Sequence, residues 1–385
     1  MTSSKRALIL GGGVGGVVAA NRLRKLLPCS HDVVLVEREQ YHVFQPSLLW
    51  LAVGTRRPDQ IRRPLARLQR KGIDVVSEEI TRIDPATRTV VAGGQTLTGD
   101  ALIVALGAEL AEDSVPGLAA AGHNLYTIAG ASSIKSALDS FRYGSIVVLT
   151  AAPAYKCPAA PYEAAMLIDG FLRQRGVRSS AHVHLYAAEA GPMAVTGPQV
   201  SAAVRQLVES KGVHYHPEHQ VVSVDPARRE LVFANGVTAV FDLLIYVPPH
   251  RAPAVVRTAG LGNETGWIPA NRVTFETSFS GVFALGDVTT VPLVMGKPLP
   301  KAGVFAHAQA EVVSANIANA WTGRGPRRAF DGHGQCFVET GDGRAGYGAG
   351  DFYGEPTPQV ALHRPTRWRH WSKVLFEKQW LHRWF

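Results

Sequence analysis

A glycine-rich turn between an apolar strand and an apolar helix restricts this chain more than any other feature. Gly11-Gly-Gly13-Val-Gly-Gly16 follows Ala7-Leu-Ile-Leu10 and opens an Ala/Val/Leu helix that runs to about Leu27. Each glycine has a task in that setting. Gly11 makes the tight turn, Gly13 lets a pyrophosphate approach the backbone, and Gly16 lets helix and strand pack closely. Glu37 closes the Asp32–Val36 strand, about 26 positions after Gly11, where a ribose-binding carboxylate belongs. The pattern predicts a dinucleotide-binding α/β unit.

Two later segments say which dinucleotide. Asp100-Ala-Leu-Ile-Val-Ala-Leu-Gly-Ala108, with Ala105 and Gly107 at its turn, resembles the strand and turn of two-dinucleotide flavoproteins. Gly281-Val-Phe-Ala-Leu-Gly286-Asp287 resembles their second flavin motif, in which the carboxylate accepts hydrogen bonds from the ribityl hydroxyls. These motifs imply FAD.

Alternating β and α signals run through most of the chain, which predicts an α/β fold with parallel sheets. β segments at Asp74–Ile83 and Thr89–Thr98 precede the Asp100–Ala105 strand. A second unit opens near Gly144, continues through Val183–Tyr186 and a helix over Val200–Lys211, and has strands at Gln220–Val224 and Glu230–Val232. Phe241–Val247 echoes Asp100–Ala105, and Gly281–Leu285 returns to the first unit. The expected organisation is two Rossmann-like three-layer domains, the second inserted into the first. An FAD domain covers 1–110 and 246–324, a degenerate nucleotide-binding-like domain covers 111–245, and an aromatic, basic C-terminal region covers 325–385.

The second unit lacks its glycine turn. The strand Ser145–Thr150 runs into Pro153-Ala-Tyr-Lys-Cys157-Pro-Ala-Ala-Pro161, and no glycine occurs between Ser145 and Asp169. Without glycines the backbone does not approach a pyrophosphate. A thiol stands there instead, with Lys156 beside it and a helix N-terminus expected near; both would lower its pKa. Cys336 lies far away in a glycine-flanked turn, Gly332–Gly341, with His333 nearby. Cys29, at the end of the first helix, reads as incidental. From the residues alone, Cys157 and Cys336 are either a redox pair or two unrelated buried thiols. Three cysteines in 385 residues are no disulfide framework.

The chain resembles the sulfide:quinone oxidoreductase and flavocytochrome c sulfide dehydrogenase family over nearly its whole length. The matching segments are Phe44–Trp50, Lys156–Glu163, Leu244–Pro253, Leu299–Ala306 and Gly334–Gly341. The resemblance implies a Cys157–Cys336 redox-active disulfide, with Lys301 bordering the flavin ring. It also implies that hydrosulfide attacks the disulfide, leaving a persulfide on Cys336 and releasing Cys157 as a thiolate toward the flavin, with quinone as final acceptor. Glu163 and His333 are candidate proton-handling groups, or simply surface residues. The third cysteine of many relatives is missing from Asn124–Ala129. Tyr41–Pro46 lacks the cysteine that attaches flavin covalently, so the FAD is expected to be non-covalent. A haem-protein acceptor, a disulfide redox sensor and an NADH:quinone oxidoreductase are the competing readings; the last needs the glycine turn that is absent.

The net charge is +9, and its location matters more than its size. Between His363 and Phe385 lie six Lys/Arg and one acid, Glu377, with four of the seven tryptophans. Charge gathered in one aromatic tail argues against nucleic-acid binding. The tail reads either as an interfacial membrane helix or as a helix packed on its own domain or across a homo-oligomer. No apolar run is long enough to span a bilayer, so the expected address is cytoplasmic with peripheral membrane association. No metal-ligand set is assigned.

Overall fold

The structure is a computed structural model and describes residues 4–385. Its first sheet is five-stranded and wholly parallel, in the order Val282–Ala284, Ala101–Val104, Arg6–Leu10, Asp32–Val36, Asp74–Val76. A strand covered on both faces has no need of alternation, which is why Ala7-Leu-Ile-Leu10 is apolar throughout and fully buried. Ala7 and Ile9 face the Val14–Leu26 helix, and Leu8 and Leu10 face a β-meander. Burying each such side chain stabilises the fold by roughly 1.5–3 kcal/mol.

The second sheet repeats the design in the order His123–Asn124, Leu243–Val247, Gly144–Thr150, Ala181–Ala187, His214–His216, again all parallel. Each unit carries a three-stranded antiparallel meander, Ile80–Asp84/Thr89–Ala92/Gln95–Thr98 in one and Val221–Asp225/Glu230–Phe233/Thr238–Val240 in the other. The α/β class with two parallel sheets is as expected. The mixed β segment expected over Asp74–Ile83 holds two strands: Asp74–Val76 joins the parallel sheet and Ile80–Asp84 opens the meander. The Val200–Lys211 helix is found at Pro198–Glu209.

The C-terminal region holds a sheet where only glycine-rich turns were expected. His333–Glu339, Ala345–Asp351 and Gln359–Thr366 form an antiparallel three-stranded sheet. Glycines weaken strand signals because they lack a side chain to pack. Here close packing requires one of them: a Cβ on Gly350 would lie 2.0 Å from the Gln359 carbonyl oxygen. The chain ends in a helix, Arg367–Arg383, with Thr366 as N-cap accepting from Arg369 N–H.

That helix packs on its own chain. Glu377 accepts hydrogen bonds from Arg56 at 2.8 Å and from the Ser47 hydroxyl at 2.5 Å. Trp380 stacks on His42 at 4.8 Å, and Trp384 is buried. The opposite face is open, with Trp368 78% and Trp371 62% exposed beside Leu375 and Phe376.

Candidate functional site

The glycine turn forms a phosphate cradle. A Cβ on Gly16 would lie 1.8 Å from the Gly11 carbonyl oxygen, and one on Gly11 would lie 2.3 Å from that of Ala105. Gly11 also needs φ +107°, open only to glycine. Above Gly13 there is free space to 4 Å, in front of an uncapped helix N-terminus with no acid in its first turn. Such a terminus attracts a phosphate. Glu37 reaches across to accept Gly12 N–H at 2.6 Å and Glu39 N–H at 3.0 Å, keeping a lone pair on each oxygen.

The other end of the cradle is built by Gly286 and Asp287. Gly286 N–H donates to buried Gln309 at 2.7 Å, with φ +76°. Burial pushes the Asp287 carboxyl up, opposed by Lys156 and Lys301, and no hydrogen bond from the described residues reaches it. A carboxylate held this way calls for hydroxyl donors, as a ribityl chain provides. Ala105 and Gly107 follow the Ala101–Val104 strand at the same edge, Gly107 at φ +68° with free space beside it. These residues fit FAD.

Cys157 is joined to that site through its backbone. Its N–H donates to the Lys301 carbonyl at 2.7 Å, and its own carbonyl accepts from Ala160 at the start of the Ala160–Gln174 helix. The Tyr126 hydroxyl donates to the Lys156 carbonyl at 2.6 Å. These bonds hold Cys157 at φ +53°, a left-handed conformation that costs a non-glycine residue about 1 kcal/mol. The Lys301 ammonium donates to the Asp287 and Thr289 carbonyls at 2.6 and 3.0 Å and lies 3.4 Å over the Trp267 ring. Burial lowers Lys301 to about 8, against the pull of Asp287.

The structure brings Cys336 into the same neighbourhood, on a strand rather than in the expected turn. Glu163, on the Cys157 helix, accepts Glu339 N–H from the Cys336 strand at 2.8 Å. Gly170 and Gly341 seal the contact, since a Cβ on Gly170 would lie 1.8 Å from the Gly341 carbonyl oxygen. Both thiols are free and have many protein atoms around them, yet each keeps contact with solvent, Cys336 exposed and Cys157 half-buried. Cys29 is exposed on the surface.

The expected lowering of the Cys157 pKa is reversed. Burial pushes its thiol well up, and the Cys336 and Glu163 charges add to it; only Lys373 and a backbone hydrogen bond oppose. Burial likewise raises Cys336 to about 12. Lys156 turns instead toward Asp287 and the Tyr126 ring. Removal from water outweighs one neighbouring cation because it acts on the whole thiolate charge.

Glu163 is no surface residue; it is 2% exposed. Lys373 of the C-terminal helix donates to it at 3.0 Å and lies 3.9 Å from Glu339, which in turn pairs with His370 at 3.0 Å. Burial alone would lower Lys373, but the two carboxylates hold it above its ordinary value. Burial raises Glu163, against Lys373. The two shifts favour opposite states of one pair; two carboxylates around one ammonium keep Lys373 charged. His333, by contrast, stands at the surface beside Asp331.

Sequence reasoning missed Lys373, Glu339, His370 and His250. Lys373 and Glu377 fall on the helical stripe of Trp380 and Trp384, a spacing that marks them as buried. His250 carried no such signal; its buried Nε2 is unpartnered and its ring meets Tyr126 edge-on at 5.6 Å.

At the second unit's nucleotide position the chain's own hydroxyls occupy most of the carboxylate that a ribose would use. Glu189, just past the Ala181–Ala187 strand as Glu37 is past its own, accepts from the hydroxyls of Thr150, Tyr155 and Tyr162 at 2.8, 2.5 and 2.6 Å. Three hydroxyl donors leave that carboxylate a single lone pair, on Oε2, with two buried tyrosines on the other oxygen.

Two parallel-sheet lobes of this kind, the first with a glycine phosphate cradle, define a dinucleotide-binding flavoprotein of the disulfide-oxidoreductase type. Residues 5–310 match the pyridine nucleotide-disulphide oxidoreductase family, and the chain belongs to it. Within that family it is similar to the sulfide-quinone reductase of Aquifex aeolicus, at 27% identity over 98% of this chain and 90% of that protein. It is 24% identical to the mitochondrial sulfide:quinone oxidoreductase of Mus musculus, over 91% and 78% of the two. The crystal structure of the Aquifex aeolicus sulfide:quinone oxidoreductase matches with a TM-score of 0.89 at 26% identity, covering 99% of this chain and 91% of that one. The resemblance read from the motifs holds.

Proposed function

We propose that this chain is an FAD-dependent oxidoreductase that oxidises sulfide to sulfane sulfur and delivers the electrons to a quinone. The observation that carries the reading is the convergence of Cys157 and Cys336, clamped through Glu163 and Glu339 and tied to the Asp287–Lys301 site by the Cys157 N–H. The relatives that the chain resembles are named for the same reaction. In this reading residues 1–110 and 246–324 form the FAD domain, 111–245 the inserted lobe and 325–385 the region that brings Cys336 to it.

Gly11, Gly13 and Gly16 hold the pyrophosphate of a non-covalent FAD, Glu37 a ribose and Asp287 the ribityl chain, with Ala105, Gly107 and Gly286 shaping the backbone around it. Bound there, FAD supplies a two-electron acceptor beside the thiols. In the oxidised pair, hydrosulfide attacks the disulfide; the new sulfur–sulfur bond stays on Cys336 as a persulfide and Cys157 leaves as a thiolate. The Lys373 charge favours the thiolate form of both cysteines, while Glu163 takes or returns the proton. Lys301 holds positive charge at the Asp287 end.

The occupied Glu189 supports sulfide over NADH as reductant. Among the described residues no helix is long and apolar enough to cross a membrane. The exposed Trp368, Trp371, Leu375 and Phe376, flanked by Arg367, Lys378 and Arg383, suit a peripheral seat on a bilayer, from which a quinone is drawn. A cytoplasmic location is part of this reading. Anaerobic titration of the flavin-loaded protein tests it: sulfide should bleach the flavin rapidly and NADH should not. Bleaching by NADH alone, or undiminished sulfide bleaching in Cys157→Ser, sinks it.

A further inference from the structure

His42 is 2% exposed, in the middle of the short strand Tyr41–Val43, and nothing in the sulfide chemistry uses it. Its ring stacks on Trp380 of the last helix at 4.8 Å, and the Phe385 ring lies 5.4 Å away. Its Nδ1 is 2.8 Å from the Gly12 carbonyl oxygen. A carbonyl oxygen only accepts, so the imidazole proton sits on Nδ1. Nε2 is left as a buried lone pair with no donor among the described residues. Burial, opposed by the Gly12 hydrogen bond, holds the ring down to about 4, so it is neutral at ordinary pH. A phenyl ring would fill the same cage and leave no polar atom bare. What histidine adds here is the Nδ1–H.

We propose that His42 is a positioning residue of the flavin site: by holding the Gly12 carbonyl it turns the Gly13 N–H toward the FAD pyrophosphate. That carbonyl and that N–H belong to one trans peptide plane and point in opposite directions across it. With the oxygen held on the His42 side, the N–H faces away and finds no partner among the described residues. A Cβ built on Gly13 would meet nothing within 4 Å, so there is room for a phosphate. A glycine stands on each side of this plane, and side-chain sterics do little to stop it flipping. A flipped plane would set a carbonyl oxygen against the phosphates, where an N–H is wanted. Glu37 holds the preceding peptide through the Gly12 N–H at 2.6 Å, so the two side chains fix successive planes of the turn. Trp380 fixes the imidazole in its turn, which gives the last helix a part in flavin retention. The inference rests on FAD occupying this cradle.

Flavin retention by the full-length holoprotein tests it. His42→Phe keeps an aromatic ring on Trp380 and removes the donor. His42→Asn removes the ring and keeps a donor, because Asn Nδ2 can take the place of Nδ1. The FAD dissociation constant is read from the rise of free-flavin fluorescence on dilution. It should increase about tenfold in His42→Phe and stay within about threefold of wild type in His42→Asn. A ring that served packing alone would give the reverse order. Far-ultraviolet circular dichroism with FAD in excess separates misfolding from weak binding, and a second measurement needs no variant to fold. Nitrogen NMR of labelled imidazoles in the wild-type holoprotein should report His42 as the neutral Nδ1–H tautomer. Wild-type flavin affinity in His42→Phe, equal loss in both variants, or an Nε2–H tautomer overturns the proposal. Wild-type protein that took up no FAD would overturn the flavin site and this inference together.

Discussion

Lys373 Nζ lies 3.0 Å from Glu163 Oε1, so the last helix of the chain places its one buried cation against the helix that follows Cys157. With Glu339 at 3.9 Å on the Cys336 strand, the ammonium bridges all three elements around the thiols. The C-terminal helix is therefore part of the candidate site as well as a surface.

Lys373→Met is expected to destabilise the protein by about 3–5 kcal/mol, because it leaves buried Glu163 without a counter-charge while Glu339 keeps only His370. The folded pKa of Glu163, already raised by burial against Lys373, then rises further above its unfolded value, so the deficit is largest at neutral pH and shrinks on acidification toward pH 4. Denaturant unfolding at several pH values measures this. Adding Glu163→Gln should restore part of the loss; no recovery would separate the pair.

Thiol alkylation of the reduced protein should begin at exposed Cys29 and lag at Cys157 and Cys336. Only the thiolate reacts, and Cys336 is held near 12. Its alkylation rate should therefore rise about tenfold per pH unit between pH 7 and 11. Mass spectrometry after iodoacetamide pulses reads the order. Equal rates at all three sites near pH 7 would contradict the burial argument.

Gly170→Ala should uncouple the thiols without emptying the flavin site. The added methyl meets the Gly341 backbone and pushes the Cys336 strand off the helix. Sulfide-dependent bleaching is expected to fall at least tenfold while the flavin content stays near wild type. Gly16→Ala should do the reverse, losing flavin through its collision with Gly11. Absorbance spectra of the two purified variants distinguish the cases.

Flotation with anionic liposomes tests the open face of the last helix. Trp368→Ser/Trp371→Ser removes two exposed indoles and leaves the buried Lys373, Glu377 and Trp380 untouched. Flotation should drop while bleaching by sulfide persists. Equal flotation of both proteins would leave the helix as packing alone.

The chain's own order of residues determined the lobes and the flavin cradle. Gly11–Gly16, Glu37 and Gly286–Asp287 each act within one turn and the strand before it, so local spacing carries their geometry. The missing glycines around Cys157 were legible for the same reason. The glycine-rich C-terminal strands were not, because glycine has no side chain to carry an alternating strand signal, and which segment packs against it is settled only by the fold. Whether the last helix lies inside or outside was equally hidden in its aromatic, basic composition.

Tertiary structure alone decided the charges around the sulfurs. Lys156 is adjacent to Cys157 in sequence yet turns to Asp287, while Lys373, more than two hundred residues further along, is the cation whose charge reaches both thiols. Solvation and Coulomb terms depend on distance in space and on the depth of surrounding protein. A linear sequence encodes neither until it has folded.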